Sequence, residues 1–376
     1  MLVASCRVTN STSKRNNAVR RSVHLVSHAR MDNLTINRPE TRSSRSPFDT
    51  IGQDARARAN AVDAGSDLVI ELTPVERIFL RTPLLGIGEY KCRPDHPQFS
   101  GGGPEACPYI VFSRSSVRLL PNRGPKEVCT PVTVNLLDVG DSYERQAVSA
   151  DGANCEWIAI SPTLLREIAG FVSADLRDRS TSVFRRCVAP ISARTFLAQR
   201  MFFSAVRAST QLDALAVEEA TMALVEAALR EALLFDPQHA SSAGGVPRKN
   251  GARARELVEA AKAILSRECW SNLSVTEIAA RVHCSPAYLS RTFSRLSGLT
   301  LHEYQQQIRL RASLDLLAEG RFNGAGIASQ LGFASHSHFT DVFHRCFGVT
   351  PRAFARSASL AKLAEMHQFL DARKSA

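Results

Sequence analysis

One short pattern occurs twice between Ser274 and Phe354, and it constrains this 376-residue chain more than any other feature. The first copy reads Ile278-Ala279, Val282, Ser285, Leu289-Ser290, Phe293, Arg295, Gly298, Thr300, Tyr304. The second reads Ile327-Ala328, Leu331, Ser335, Phe339-Thr340, Phe343, Arg345, Gly348, Thr350, Phe354. The copies lie 49 residues apart up to Val282 and Leu331, and 50 apart from Ser285 and Ser335 onward. The second copy therefore carries one extra residue in its turn. A repeat of this kind is one supersecondary unit used twice.

Each unit predicts two helices about a short turn. Val275, Ile278, Ala279 and Val282 recur at helical spacing. Ser274 with Glu277 three residues on is a capping box. His283-Cys284 breaks the pattern. Ser285 restarts it as an N-cap, with Pro286 at the first helical position, where its missing N–H costs nothing. Leu289 and Phe293 form the buried face; Tyr288, Ser290, Arg291, Ser294 and Arg295 fall mostly outside it. Gly298 ends the helix. A short helix, a tight turn and a second helix with polar and basic outer positions make a helix-turn-helix. Its second helix enters the DNA major groove.

Between the units, Leu301 to Glu319 has no proline or glycine and is rich in Leu, Gln, Arg and Ala, so it predicts a helix. About 20 residues at ~1.5 Å each span about 30 Å. Successive major-groove segments on one DNA face lie about 34 Å apart. The spacer thus sets two reading heads in neighbouring grooves. Arg309 and Arg311 on it are either phosphate contacts or solvated charges.

Residues from about 253 to 356 resemble the DNA-binding domain of the AraC/XylS family of bacterial transcription regulators. The motifs are IAARVHCSPAYLSRTFSRLSGLTLHEY and, more specifically, IASQLGFASHSHFTDVFHRCFGVTPRAF. The resemblance implies base-facing roles for Ala287, Ser290 and Arg291 in the first unit, and for His336, Ser337, Thr340 and Asp341 in the second. Arg291 is the strongest base contact, because arginine binds guanine O6 and N7 bidentately. Ser285 and Ser335 present helix N-termini to phosphate. Arg295, its repeat partner Arg345 and Arg309 complete the DNA-binding set. Position 341 is often basic in the family; an aspartate there either accepts from cytosine N4 or contributes little affinity. The resemblance further implies double-stranded DNA, RNA polymerase and a second copy of the chain as partners, with a small-molecule effector and no cofactor.

Charge is uneven. The net formal charge is +7 over residues 1–60, −4 over 61–245 and +8 over 246–376. A basic end joined to a mildly acidic middle suits a nucleic-acid reader attached to something that does not bind DNA. No run of about 18 apolar residues occurs, so no membrane-spanning helix is expected. The nine cysteines form no CxxC. With a DNA partner, they argue for free thiols in the cytoplasm.

Residues 1–60 are poor in large apolar residues and read as disordered. No acidic residue precedes Asp32, as in an organelle transit peptide. Two other readings stay open: translation starts at Met31, or the segment is a basic arm that strengthens DNA binding. Residues 1–30 are expected to be dispensable for folding.

Residues 61–185 read as β-rich. Apolar runs at Leu68–Leu72, Ile87–Tyr90, Tyr109–Phe112, Val117–Leu120, Val132–Val139 and Trp157–Ile160 alternate with Gly/Pro/Asn/Asp clusters. This segment resembles the cupin-like sensing domain of a subgroup of the same family. That implies a jelly-roll barrel with room for a small ligand. Metal-dependent cupins need an inward cluster of histidines with a carboxylate. Residues 61–245 hold only His96 and His239, so neither a metal site nor an enzyme is expected there. His336-x-His338 is a zinc candidate only if its helical position is ignored. Cys92, Cys107, Cys129 and Cys155 read as small buried hydrophobes, or as a redox- or metal-sensing set.

Helices follow. Leu164, Leu165, Ile168 and Phe171 make one amphipathic stripe; Phe196, Leu197, Met201, Phe202, Phe203 and Val206 a second; Leu215, Met222, Val225, Leu229 and Leu233 a third. Such stripes pack either on the barrel or against a second copy, so 186–236 is a candidate dimerisation segment. Residues 237–252 read as a flexible linker. Arg248, Lys249, Arg253 and Arg255 are either phosphate contacts or solvated there. The DNA-binding domain (253–356) starts with a helix from Arg255 to Glu268, with Trp270 in its core, and 357–376 is a helical tail. The expected fold is α+β: a β-rich cupin-like barrel with a helical pair, then an all-α domain of two helix-turn-helix units joined by a long helix. The segment 246–376 is expected to fold alone. The Pro-Cys-His-Arg run of alkyl-transfer DNA-repair proteins with such a domain is absent.

Overall fold

The N-terminal half is built by period-two alternation along short strands. The computed structural model describes residues 71–173, 183–184, 186–209, 213–234, 248–320 and 324–357. All belong to one of the chain's two units, residues 46–376. The basic segment 1–60, most of the linker and the tail beyond 357 lie outside the described residues.

The strands are β1 (Glu71–Leu72), β2 (Glu76–Arg81), β3 (Leu85–Cys92), β4 (Gly101–Gly102), β5 (Tyr109–Ser113), β6 (Val117–Pro121), β7 (Glu127–Cys129), β8 (Thr133–Leu137), β9 (Tyr143–Ala147), β10 (Ala153–Ile160) and β11 (Val188–Pro190). They form a large sheet in the order β1-β2-β3-β10-β5-β8-β11 and a small one in the order β4-β9-β6-β7. Side chains alternate between the faces of the large sheet. Ile110, Phe112, Ile158 and Ile160 point into a core shared with helices. Tyr109, Val111, Cys155 and Trp157 point the other way and line a cavity. β9 was not legible as a strand: its sequence, Tyr-Glu-Arg-Gln-Ala, lacks apolar alternation. Two of its residues, Tyr143 and Arg145, line the cavity, where polar side chains replace the apolar half of the pattern.

Helices cover the outer face of the large sheet. They are α1 (Pro162–Val172), α2 (Ala193–Ala208) and α3 (Ala214–Leu234). Ser161 and Ser192 cap the first two by accepting from the Leu164 and Thr195 amides. Glu231 of α3 accepts from the Ser192 amide at 2.6 Å and from the Ser192 and Thr195 hydroxyls at 2.7 Å, which ties α3 to the start of α2. Phe202, Phe203, Val217, Leu224 and Leu229 bury against the sheet. Two expected core residues do not. Leu215 is 49% exposed and Phe171 37% exposed; both lie at helix ends, where the stripe has left the sheet. Three of the four barrel cysteines are buried, and Cys155 faces the cavity. Burial pushes the Cys107 and Cys155 thiols up to about 12, so both are protonated small hydrophobes.

The C-terminal half is helical: α4 (Arg248–Arg267), α5 (Val275–Arg281), α6 (Pro286–Ser297), α7 (Leu301–Glu319), α8 (Gly324–Gln330), α9 (His336–Phe347) and α10 (Pro351–Ser357). α4 begins at Arg248, before the expected start. No proline interrupts residues 248–267, and the single Gly251 costs only about 1 kcal/mol against alanine. Trp270, expected in the core, is 44% exposed, and Cys269 takes the buried place beside it.

Each reading unit has its own core, and each core borrows from the N-terminal half. Val258, Leu265, Ile278, Leu289, Phe293 and Tyr304 pack together with Val132, which lies just before β8. Leu314, Ile327, Phe339 and Phe343 pack with Phe196 and Leu197 of α2. Among the described residues no helix is long and apolar enough to cross a membrane.

Candidate nucleic-acid interface

The two units repeat in geometry as they do in sequence. Ser285 accepts from the Tyr288 amide at 3.3 Å and Ser335 from the His338 amide at 3.1 Å. Gly298 and Gly348 end α6 and α9 in the left-handed conformation, at φ 76° and 75°. Such a φ favours glycine because a Cβ would crowd the carbonyl. In the turns, Cys284 donates to the Ala279 carbonyl at 3.0 Å and Phe333 to that of Ala328 at 2.9 Å. These bonds keep the offset of 49, while the Ser caps have the offset of 50. The inserted residue is therefore Ala334. The left-handed turn position is Gly332 in the second unit but His283, at φ 55°, in the first.

The capped helices present matching faces. On α6, Leu289, Thr292 and Phe293 are buried, Ala287, Tyr288 and Arg291 are exposed, and Ser290 and Arg295 are half-buried. On α9, Phe339, Val342, Phe343 and Phe347 are buried; His336, Ser337, Asp341 and Arg345 are exposed and Thr340 is half-buried. Thus Ala287, Ser290 and Arg291 correspond to Ser337, Thr340 and Asp341 on one accessible helix face each. The His336 ring lies against α8: a Cβ on Gly324 would sit 2.3 Å from its Nε2.

Two spacer arginines are not available to phosphate, which corrects the expectation for Arg309 and Arg311. Arg309 is 9% exposed. Its Nε donates to the Cys269 carbonyl at 2.5 Å, and its Nη2 to the Ser271 carbonyl at 2.8 Å and Asn272 Oδ1 at 3.1 Å. It thus satisfies carbonyls just past the C-terminus of α4, where a cation is favoured. Arg311 is 2% exposed and donates to the carbonyls of Pro131 at 2.7 Å and Ile191 at 2.6 Å. Burial pulls its pKa down to about 10, which leaves it protonated at neutral pH. α7 is enclosed on more than one side, so several of its polar positions, Gln305, Arg309 and Arg311 among them, are buried.

A charged cluster that went unread in the sequence lies where α7 meets the barrel. Glu156 is fully buried on β10. It accepts from Arg200 at 2.7 Å, and from Gln199 and Arg207. Arg114 lies 3.5 Å away. Burial works to raise the Glu156 pKa, but Arg200, Arg207 and Arg114 outweigh it and hold the carboxyl at about 2. Asp315 of α7 accepts from Arg200 at 2.6 Å and Arg114 at 2.7 Å. The one signal was a lone carboxylate within the otherwise apolar run Trp157–Ile160 and its flank.

A second candidate site is the cavity of about 180 Å³ between the sheets. The Arg145 guanidinium stacks 4.4 Å from the Tyr90 ring centre, and its Nη2 donates to the Tyr90 hydroxyl at 3.0 Å. Arg145 Nε, Trp157 Nε1 and Asn135 Oδ1 are buried without a hydrogen-bond partner among the described residues. Burial raises the Glu105 carboxyl to about 7 against the pull of Arg145. Unspent donors and acceptors about an apolar-walled space suit a small polar molecule.

A family described as a helix-turn-helix domain matches residues 278–357. The Msm operon regulatory protein of Streptococcus mutans is 28% identical over 108 residues, which cover 29% of this chain and 39% of that protein. The bifunctional transcriptional activator/DNA repair enzyme AdaA of Bacillus subtilis is 30% identical over 105 residues, covering 28% of this chain and 50% of that protein. A transcriptional regulator of Chromobacterium violaceum, described as containing an AraC-type DNA-binding domain, shares 24% identity over 31% of this chain and all of that one, at a TM-score of 0.26. The chain thus spans half or less of the curated relatives named here. Together with the duplicated, capped units, the family match identifies residues 278–357 as a helix-turn-helix domain.

Proposed function

We propose that this protein is a sequence-specific, DNA-binding transcription regulator that reads two successive major grooves of one duplex. The observation that carries this reading is the matched pair of exposed faces. Ala287, Ser290 and Arg291 on one capped helix correspond to Ser337, Thr340 and Asp341 on the other. Phosphate contacts fall to the helix N-termini at Ser285 and Ser335 and to Arg295 and Arg345. Arg309 takes no part.

The barrel is the sensing half in this reading. Its cavity takes a small polar effector, with Arg145, Glu105 and Glu76 as the charged groups that line it. A second copy and RNA polymerase are the proposed protein partners, and the cytoplasm the proposed location. The relatives are named as regulators, and AdaA also as a repair enzyme. This chain is proposed to be a regulator without an enzymatic activity, since it lacks the Pro-Cys-His-Arg run.

The test is selection of a randomised duplex library by the full chain, read by sequencing at two salt concentrations. Enrichment of two sequence blocks about one helical turn apart is expected. Binding that depends on salt but enriches no sequence would overturn the proposal.

A further inference from the structure

α7 meets the N-terminal half along one stripe. Tyr304, Arg311 and Asp315 are separated by seven and four residues, so they share a helix face. The Tyr304 hydroxyl is 2.8 Å from that of Thr130. Arg311 takes the carbonyls of Pro131 and Ile191. Asp315 takes Arg200 and Arg114.

The charged end of this stripe balances only when the halves are docked. Arg114, Arg200 and Arg207 face Glu156 and Glu89 from the N-terminal half. Asp315 is the third carboxylate of the cluster, and it alone comes from the DNA-binding half. Without it the cluster carries an uncompensated positive charge beside Arg200, which is 7% exposed. A buried unpaired charge is costly, so the arrangement favours one docked position of α7 over its neighbours.

The same strands face the cavity. Cys155 and Trp157 line it, and Glu156 between them points the opposite way into the cluster. Ser113 lines it, and Arg114 next in the chain reaches Asp315. A shift of β5 or β10 caused from inside the cavity therefore moves groups that hold α7.

We propose that Asp315 is a positioning residue. With Arg200, Arg114 and Glu156 it fixes α7 on the barrel, and so fixes the mutual placement of the two reading heads and links it to the cavity. This rests on the two-headed reading of DNA proposed above.

The test uses the full chain with Asp315→Asn and the conservative Asp315→Glu. Each is measured on duplexes carrying the selected blocks at native spacing and at spacings altered by one or two base pairs. Asp315→Asn is expected to weaken binding about tenfold at native spacing but less at altered spacings, so the spacing preference flattens. Asp315→Glu is expected to restore most of it. An equal loss at all spacings, or no change, overturns the proposal.

Hydrogen exchange without DNA provides a readout that survives failure of the DNA reading. Asp315→Asn is expected to speed exchange at least fivefold across 308–319 and 336–347 while the strands stay protected. Unchanged protection overturns the latch itself, whereas absence of any selected sequence with faster exchange overturns only the DNA reading. For the cavity link, Val111→Phe fills the space from β5. It is expected to change native-site affinity in the parent and to have a smaller effect with Asp315→Asn. Equal effects in both backgrounds overturn the link.

Discussion

The Tyr304 hydroxyl lies 2.8 Å from the Thr130 hydroxyl, and it is the atom by which the two repeats differ at this position. Its counterpart in the second unit is Phe354. Both rings are buried in their unit's core. Only the first unit carries a hydroxyl, and only that unit meets the barrel through Thr130. Tyr304→Phe keeps the ring and deletes the bond. A net loss of about 1 kcal/mol is expected, read as a lower urea midpoint at unchanged slope. No change in midpoint would mean that the bond adds nothing to docking.

The arginines of the DNA-binding half separate into readers and structural groups. Arg291→Ala is expected to cost about 1–3 kcal/mol on the selected site and to relax the base preference there. Equal weakening on every sequence would contradict base contact.

Arg309→Ala has the opposite signature. It leaves the carbonyl of buried Cys269 without its side-chain donor, a cost of about 1–3 kcal/mol for an unsatisfied group, while the Ser271 carbonyl keeps Gln305 Nε2. A lower melting temperature is expected, with the salt dependence of DNA binding unchanged. Arg295→Ala should instead lower that salt slope by about one while leaving stability nearly intact. A reduced slope for Arg309→Ala would return it to the interface.

Glu156 gives stability a defined acid limit. Its folded pKa, about 2, is below the ordinary carboxylate value of 4.5. A depressed carboxyl contributes stability that is fully present above the unfolded pKa and is lost as pH falls through the folded one. The difference in urea midpoint between the parent and Glu156→Gln is therefore expected to be constant above pH 4.5 and to shrink between pH 4.5 and 2. A difference that does not vary with pH would show that the loss comes from packing alone.

Excising the DNA-binding half removes Val132, Phe196 and Leu197 from its two cores. Full burial of such a side chain is worth about 1.5–3 kcal/mol. A 246–376 fragment is expected to keep its helical circular dichroism but to melt well below the full chain and to bind a hydrophobic dye. A fragment as stable as the full chain would mean that these contacts are replaced within it.

The sequence alone determined the two reading units. Caps, turns and buried faces depend on residues three or four apart, so Ser285, Pro286, Leu289, Phe293 and Gly298 announce their roles without any distant partner. The α7 bounds, Leu301–Glu319, came out the same way. The six apolar runs each overlap a strand, but β2, β4, β7, β9 and β11 fell outside them, β9 because its inward residues are polar. The tertiary structure decided the fate of long polar side chains. Nothing near Arg311 in sequence marks it as buried: its partners Pro131 and Ile191 are 180 and 120 residues away. Arg309 and Asp315 look like ordinary exposed charges on a helix until the carbonyls and guanidiniums facing them are in place. Helical periodicity says which side of α7 a residue occupies. Only packing says that the barrel and α2 occupy those sides, and so turns charges that read as solvent-facing into the groups that hold the halves together.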